Sequence, residues 1–253
     1  MHKPYRRPTV AVIGAGPTGC AAAADCAFSG FDVTLVEATD EIGGAAARPS
    51  GPAPSKRLRF RTPYLDRKAV DGTAAGFRAH LREALDAAGA DVRLRTEARS
   101  AAFDHDTGQW RVAVVTPDGD DVVCADVLIR ATGGDTVLDI DPGSGRILDA
   151  EPRLHRAIEV VGAPNLLFVD GPVTGLSTRR PLDVAEARAD HARRYIRALE
   201  IRGPGAFTVR ASNWHASPPD RRHQIRDLGT IDAASHSFTP AASAIPEARL
   251  ENR

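Results

Sequence analysis

The chain has 253 residues, 42% of them hydrophobic and 26% charged, which is the composition of an ordinary globular protein with one large domain or two small ones. Its 33 lysine and arginine side chains balance 33 aspartate and glutamate side chains, so no overall electric field favours nucleic acid or an acidic membrane. No apolar run approaches the roughly 20 residues that span a bilayer, and residues 1–8 are not followed by the apolar segment of a signal peptide. We therefore expect a cytoplasmic protein that binds neither nucleic acid nor membrane.

The distribution of cysteine and histidine excludes several kinds of chemistry. Cys20, Cys26 and Cys124 form no C-x-x-C pair, which excludes a disulfide-reductase mechanism and argues against a redox or metal role. The eight histidines show no metal-ligand spacing, so we expect no metal site. No Gly-x-Ser-x-Gly follows a predicted strand, and Ser-His-Asp hydrolysis is therefore unsupported.

A dinucleotide fingerprint lies at the start of the chain. A short apolar strand is predicted at Thr9–Ile13, followed directly by the turn Gly14-Ala15-Gly16-Pro17-Thr18-Gly19. An Ala-rich helix over 20–29 and a second strand over 31–36, ending on Glu37, come next. The three glycines of such a turn allow a tight bend, close approach to a pyrophosphate and close helix–strand packing. The N–H groups at the helix start then face the phosphates, and Glu37 is within reach of a ribose hydroxyl.

The next stretch of the chain predicts the rest of a sheet and an antiparallel extension. Apolar spacing over residues 73–88 predicts a second helix with Gly89 as its C-cap, and residues 91–94 predict a third parallel strand. Asp-Thr-Gly and Pro-Asp-Gly turns then separate the three short strands of a predicted β-meander, at residues 101–104, 110–116 and 121–125. With a further strand over 127–130, these elements predict a three-layer α/β fold in which helices and meander flank the sheet.

The pattern becomes weaker after the last of these strands. Residues 136–164 predict no regular structure beyond a short helix near 154–159, and residues 165–169 predict the last buried strand. A helix is expected over 182–201, with inward positions at Val184, Ala187, His191, Ile196 and Leu199.

The domain organisation follows from where periodicity ends. From Arg202 the chain is rich in Pro, Ser, Ala and His without clear periodicity. This predicts that residues 202–253 form a tail or arm that is partly disordered or packs on the domain or on a partner. Residues 1–201 are then a single domain, with the meander inserted at about 101–126.

Four motifs give the chain a resemblance to the flavin-dependent monooxygenases of the Baeyer–Villiger and flavin-containing type. They are the glycine turn with Glu37, Asp40-Glu41-Ile42-Gly43-Gly44, Ala131-Thr132-Gly133, and Ala163-Pro164-Asn165-Leu166-Leu167-Phe168-Val169-Asp170-Gly171-Pro172. The resemblance implies FAD as the cofactor, in a Rossmann-like three-layer FAD-binding fold of the glutathione-reductase type. The cofactor-binding residues that it implies are Gly14, Ala15, Gly16, Pro17, Thr18, Gly19, Glu37, Ala38, Gly43, Gly44, Ala45, Arg48, Ala98, Ala131, Thr132, Gly133, Asp170 and Gly171.

The resemblance also implies roles within this set. The backbone near Ala98 is expected to meet the adenine, and Asp170 and Gly171 are expected to lie near the ribityl chain and the flavin ring. The N-terminus of the 182–201 helix is expected to point at the N1–C2=O side of the ring, where its positive end stabilises reduced, anionic flavin. Arg48 is either a phosphate or ring contact or a solvated loop side chain.

The chain also departs from the family pattern. Such monooxygenases carry a second Gly-x-Gly-x-x-Gly domain for NADPH, whereas here Ala131-Thr132-Gly133 leads to the C-terminal flavin segment in about thirty residues. Gly143-Ser144-Gly145 lies in this interval, but no predicted strand precedes it and no helix follows, so we expect a turn. Ala45-Ala46 replace the aromatic residue that often follows the glycine pair, and the family's catalytic His and Arg have no counterpart. We therefore expect a compact form without the NADPH-binding domain, and the catalytic residues are left unknown.

Three functions remain open. The first is a FAD-dependent oxidoreductase of the monooxygenase type with a small-molecule substrate, in which a separate flavin reductase or the substrate reduces the flavin. The second is a FAD-binding protein without redox turnover that serves a non-redox rearrangement or cyclisation, and the third is a regulatory or assembly subunit. A monooxygenase must also keep water from the flavin ring. The candidate covers are residues 45–64, the tail with Phe207, Trp214 and Phe238, or a second subunit of a homo-oligomer.

Overall fold

The computed structural model describes residues 6–44, 73–133, 138–148, 152–170, 181–213, 231 and 233–242. The helices of this part of the chain are α1 (Pro17–Phe28), α2 (Ala74–Ala88) and α3 (Pro181–Arg202), and none of them is long and apolar enough to cross a membrane. Its strands are β1 (Thr9–Ile13), β2 (Asp32–Val36), β3 (Asp91–Arg93), β4 (Glu97–Asp104), β5 (Gln109–Thr116), β6 (Gly119–Ala125), β7 (Val127–Arg130), β8 (Asp139–Asp141), β9 (Leu154–His155), β10 (Glu159–Val160), β11 (Leu166–Phe168), β12 (Gly205–Val209) and β13 (His236–Pro240).

A seven-stranded sheet with the order β3-β2-β1-β7-β11-β10-β9 forms the middle layer. The first five of these strands are parallel neighbours, and β10 and β9 extend the sheet with antiparallel pairs. Ile13 at the end of β1 pairs with Val36 of β2 and with Arg130 of β7, and Arg130 in turn pairs with Phe168 of β11. The carboxyl ends of these four strands therefore lie at one edge of the sheet, called here the carboxyl edge, which is where open α/β sheets bind ligands.

Two apolar cores lie on the two faces of the sheet. The three helices cover one face, where Leu35, Phe77 and Ile129 are buried together. The meander β6-β5-β4, extended by β8, covers the other face. There Trp110 is fully buried, and its indole N–H donates to the carbonyl oxygen of Pro164 at 3.0 Å. This arrangement confirms the predicted Rossmann-like three-layer α/β fold with a β-meander.

The predicted helices of the first half are confirmed, with differences at their ends. α1 begins at Pro17 rather than at residue 20, because proline at the first helical position has no N–H that would lack a partner. The Thr73 hydroxyl caps α2 by accepting a hydrogen bond from the N–H of Gly76 at 3.0 Å. Gly89 ends α2 in the left-handed conformation, at a φ of 77°, as the C-cap prediction requires.

The predicted short helix near residues 154–159 is wrong. β9 and β10 form an antiparallel pair there, and Arg156 and Ala157, the first two of the three residues between them, have φ values of 55° and 59°. Successive left-handed residues make a tight reversal between strands and exclude a right-handed helix. Leu154 and Ile158 are buried on either side of this reversal.

Two strands that follow α3, β12 and β13, pair antiparallel. We call this strand pair the C-terminal hairpin. The N–H of Asn165 donates to the carbonyl oxygen of Phe207 at 3.0 Å, and Asn165 directly precedes β11. The hairpin therefore meets the sheet at the amino end of its parallel strands, opposite the carboxyl edge. Phe207, which is 1% exposed, and its pairing partner Phe238 are thus not placed to cover a ring at that edge. Trp214 and residues 45–64 lie outside the described residues.

Candidate cofactor site

The turn between β1 and α1 lies against the end of β7, and two of its glycines are required there. Gly14 has a φ of 101°, and a Cβ on it would lie 2.6 Å from the carbonyl oxygen of Ala131. A Cβ on Gly19 would lie 1.9 Å from the carbonyl oxygen of Gly14. Real Cβ atoms do not approach backbone oxygen so closely, so any larger residue would push the helix and the strands apart.

Gly16 differs from its two neighbours because it faces open space. A Cβ on it would meet no atom of the described residues within 4 Å. Gly16 is also the N-cap of α1, and no side chain of the described residues caps this helix end. The first helical backbone bond runs from the N–H of Cys20 to the carbonyl of Gly16 at 2.9 Å, so the N–H groups of Thr18 and Gly19 precede the helical ladder. Open space in front of an uncapped helix start, with Pro17 at its first position, fits a phosphate group.

The carboxylate of Glu37 is fixed beside the glycine turn. Its Oε2 accepts a hydrogen bond from the N–H of Ala15 at 2.7 Å, and its Oε1 accepts from the N–H and the hydroxyl of Thr39 at 2.9 and 2.8 Å. A carboxylate has about four acceptor positions, so Glu37 keeps capacity for a ribose hydroxyl. The next residue, Ala38, is exposed.

The glycine pair Gly43-Gly44 folds back over the turn. The N–H of Gly43 donates to the carbonyl of Ala15 at 2.7 Å, and the two glycines have φ values of 103° and 54°. A Cβ on Gly44 would lie 3.3 Å from the Cα of Gly16, so this loop closes one side of the space in front of Gly16. Ala45 and Arg48, which the resemblance also implicates, lie outside the described residues.

The end of β7 supplies a polar group to the same edge. The N–H of Ala131 donates to the carbonyl of Ile13 at 2.8 Å, and Gly133 has a φ of 68°. Between them, the buried Oγ1 of Thr132 has no hydrogen-bond partner among the described residues. A buried hydroxyl in this position fits a polar ligand that completes its hydrogen bonds.

The start of β4 lies close to Glu37. The N–H of Thr96 donates to the backbone carbonyl of Glu37 at 2.9 Å, and Ala98 follows two residues later, 6% exposed. The pairing of β4 with β5 shifts its register between Ala98 and Ser100. A register shift releases backbone groups from the ladder, which is what recognition of an adenine by backbone near Ala98 needs.

Asp170 follows β11 at the carboxyl edge, and Gly171 lies outside the described residues. The N–H of Val169, just before Asp170, donates to the carbonyl of Arg130 at 2.9 Å. The structure thus brings Asp170 to the same edge as the glycine turn, Glu37, Gly43-Gly44 and Ala131–Gly133. The contacts of these residues with FAD stay predictions.

Two buried polar features were missed from the sequence. Arg188 of α3 is 1% exposed and donates from Nη1 to the carbonyl of Val169 at 2.8 Å. Helical spacing from the buried residues Ala185, Ala189 and Ala192 would have predicted its inward position. The second feature is a cluster of Glu159, His191 and His236, all buried. Helical spacing predicted the inward position of His191, but no spacing links it to Glu159 or His236.

The cysteines near the site are not reactive nucleophiles. Burial and the negative charge of Glu37 raise the pKa of the Cys20 thiol to about 12, and its sulfur donates to the carbonyl of Ala15 at 3.3 Å. A thiol with so high a pKa is protonated at neutral pH and does not attack a substrate. Among the described residues, no group of three His, Cys, Asp or Glu side chains could hold a metal ion.

Comparison with known proteins identifies relatives for half of the chain. A family model described as "FAD dependent oxidoreductase" matches residues 9–138. The indole-3-pyruvate monooxygenase YUCCA1 of Oryza sativa subsp. japonica is 30% identical over 132 residues, which make up 50% of this chain and 32% of that protein. The chain thus spans about a third of the length of this curated relative. The predicted resemblance to FAD-dependent monooxygenases is confirmed.

Solved structures resemble the fold at lower identity. THI4 of Thermovibrio ammonificans is 16% identical, with a TM-score of 0.52, and the likeness covers 78% of this chain and 91% of that one. An oxidised steroid monooxygenase bound to NADP is 25% identical, with a TM-score of 0.41, over 50% of this chain and 26% of that one. The likeness to THI4 shows a shared fold.

Proposed function

Because the chain belongs to the FAD dependent oxidoreductase family, with FAD as its cofactor, we propose that it is an oxidoreductase of the flavin monooxygenase type. Its substrate is a small molecule, and the electrons come from a separate reductase or from the substrate itself. Bound FAD supplies the electron transfer to oxygen, while the chain supplies binding, orientation and the exclusion of water.

One observation carries this proposal: the glycine turn, Glu37 and Ala131–Gly133 meet at the carboxyl edge in a form that leaves room for a ligand. The N-terminus of α1 holds the diphosphate through backbone N–H groups, in the open space at Gly16. Glu37, already oriented by Ala15 and Thr39, accepts the ribose hydroxyls. The hydroxyl of Thr132 donates a hydrogen bond to the cofactor and so gains the partner that it lacks among the described residues.

The connection between β7 and β11 supports an external source of electrons. Its only Gly-x-Gly, Gly143-Ser144-Gly145, closes on a carboxylate, since the three N–H groups donate to Oδ1 of Asp141 at 2.9, 3.0 and 3.0 Å. N–H groups that are bound to a carboxylate are not free for the phosphates of a nicotinamide dinucleotide. The predicted turn at this position is confirmed.

The test is anaerobic reduction of the FAD-loaded protein, followed through the visible absorbance of the flavin. We expect that NADPH alone does not bleach this absorbance, that FAD reduced by an added flavin reductase binds, and that oxygen then restores the oxidised spectrum. In a matched Asp141→Ala protein the N–H groups of the turn are free. This variant tests whether their bonds to Asp141 are what prevents reduction by NADPH.

Each outcome separates the alternatives. Rapid bleaching by NADPH alone contradicts the external electron source. Bound FAD that neither reductase nor substrate reduces contradicts the oxidoreductase proposal and favours a FAD-binding protein without redox turnover. A protein that binds no FAD contradicts the cofactor roles of the carboxyl-edge residues.

A further inference from the structure

Arg188 is a charged side chain in the core between α3 and the sheet. It is 1% exposed and is among the largest fully buried side chains of the described residues. Its neighbours on the inward face of α3, Ala185, Ala189 and Ala192, are small and equally buried. The small neighbours leave room for the long side chain to pass from the helix towards the sheet.

The guanidinium group of Arg188 reaches the end of β11. Its Nη1 donates to the carbonyl oxygen of Val169 at 2.8 Å, and Asp170 is the next residue. Burial lowers the pKa of Arg188 to about 10, while the negative charge of Asp170 opposes this effect. Arg188 is therefore charged at neutral pH, and its guanidinium group is held at the strand end that Asp170 directly follows.

Packing alone does not account for an arginine at this position. Burying a guanidinium group costs several kcal/mol unless its charge and its N–H groups are compensated. Methionine or leucine would fill a similar volume without that cost. One such compensation lies at the carboxyl edge, where the carbonyl oxygen of Val169, directly before Asp170, accepts a hydrogen bond from Arg188.

We propose that Arg188 is a positioning residue of the cofactor site, which holds Asp170 as an oriented carboxylate at the end of β11. Asp170 in turn accepts hydrogen bonds from the ribityl hydroxyls of FAD. The buried positive charge also offsets the negative charge that the flavin gains on reduction, so Arg188 favours reduced over oxidised FAD. This inference rests on the proposed FAD-binding function of the carboxyl edge.

The first test uses the protein without FAD. We expect Arg188→Met to raise the pKa of Asp170, measured by carboxyl NMR, by about 1–2 units, since loss of a neighbouring arginine removes the stabilisation of the carboxylate. Arg188→Lys keeps the charge and should leave the pKa of Asp170 close to its value in the wild-type protein. An unchanged Asp170 pKa in Arg188→Met would overturn the proposal.

The second test uses the FAD-loaded protein and its reduction potential. We expect Arg188→Met to reduce the preference for reduced over oxidised FAD about tenfold, which lowers a two-electron potential by about 30 mV. Arg188→Lys should restore most of this preference. Arg194→Met is the matched control, because Arg194 lies on the same helix but pairs with Asp190 at 2.8 Å, away from β11. Equal shifts in the control and in Arg188→Met would overturn a specific role.

A double-mutant cycle shows whether Arg188 acts through Asp170. In the Asp170→Asn background, Arg188→Met should change the FAD dissociation constant less than twofold, compared with about tenfold in the wild-type background. Equal effects in both backgrounds contradict positioning through Asp170. If the wild-type protein binds no FAD, the proposed function fails. If the wild-type protein binds FAD and Arg188→Met binds it equally well, only the role of Arg188 is overturned.

Discussion

Glu159 of β10 and His236 of β13 form a buried hydrogen bond, with 2.5 Å between Oε2 and Nε2. The second carboxylate oxygen lies 2.7 Å from Nε2 of His191 on α3. An ionised carboxylate only accepts, so both imidazoles donate to it. The ring of His236 also stacks on Phe207 of β12, at 4.4 Å between centroids. The C-terminal hairpin is thus fastened to the edge of the sheet and to α3 by one carboxylate.

We expect Glu159→Gln to lower the free energy of unfolding by about 3 kcal/mol, because removal of one partner leaves the buried imidazoles without their acceptor charge. Urea unfolding measured by circular dichroism gives this value. Glu83→Gln on the exposed face of α2 is the matched control and should change the free energy of unfolding by less than about 0.5 kcal/mol. A similar change in both variants would mean that the cluster contributes no specific stability.

The same carboxylate predicts how stability depends on pH. Burial raises the pKa of Glu159, but the hydrogen bonds and charges of His191 and His236 outweigh it and lower the pKa from 4.5 to about 2. A depressed carboxyl pKa contributes stability that is fully present above the unfolded value and is lost as the pH falls towards the folded value. We therefore expect wild-type protein to lose stability relative to Glu159→Gln between about pH 5 and pH 2. Parallel unfolding curves for the two proteins across this range would contradict the prediction.

The cofactor edge was predictable because its signal is local. Gly14, Gly16, Gly19 and Glu37 belong to one β-α-β unit, in which each position has a fixed geometric task. Strand ends and turn residues likewise depend on neighbours in the chain, and the meander was predicted from two Gly-containing turns.

The cluster of buried polar side chains was not predictable, because its members are distant from one another in the sequence. Glu159, His191 and His236 come from three elements that meet only in the folded chain, and no spacing links them. Arg188 was missed for a different reason: its helical spacing fitted an inward position, but charged side chains on a helix are normally exposed. The helix predicted near 154–159 is wrong because Arg156 and Ala157 have positive φ, which a right-handed helix does not allow.

Asn165 attaches the C-terminal hairpin to the amino end of the sheet. Its Nδ2 donates to the carbonyl oxygens of Asp126 and Gly205, both at 2.8 Å, and its Oδ1 accepts from the N–H of Phe207 at 2.8 Å. We expect Asn165→Ala to lower the free energy of unfolding by about 3 kcal/mol, because three buried bonds are lost. Hydrogen exchange at the amide of Phe207 should become faster in the same variant.

Backbone strain must be separated from these bonds, because Asn165 has a φ of 53°. Asparagine tolerates this conformation better than alanine, and glycine adopts it without strain. The free energy of unfolding of Asn165→Gly should therefore be about 1 kcal/mol higher than that of Asn165→Ala. The remaining difference from wild type is then the cost of the lost hydrogen bonds. If Asn165→Gly were as stable as wild type, strain and not the side-chain bonds would account for the effect.

The glycine turn offers two variants, Gly19→Ala and Gly16→Ala, that should differ strongly in their cost to stability. A Cβ at residue 19 would lie 1.9 Å from the carbonyl oxygen of Gly14, so Gly19→Ala should lower the free energy of unfolding by more than about 3 kcal/mol. A Cβ at residue 16 would meet no atom within 4 Å in the part of the chain that the structure describes, and the φ of Gly16, −65°, suits alanine. We expect Gly16→Ala to stay within about 1 kcal/mol of wild type, the usual cost of alanine at an N-cap.

Gly16→Ala should weaken FAD binding strongly although it costs little stability. The methyl group of Gly16→Ala projects into the space where the pyrophosphate approaches the backbone, and we expect FAD binding at least about tenfold weaker in a protein that folds normally. Fluorescence titration of the apoprotein with FAD, alongside urea unfolding, measures both quantities. Unweakened binding in Gly16→Ala would mean that the diphosphate does not lie in front of α1, and the cofactor site would have to be sought away from the glycine turn.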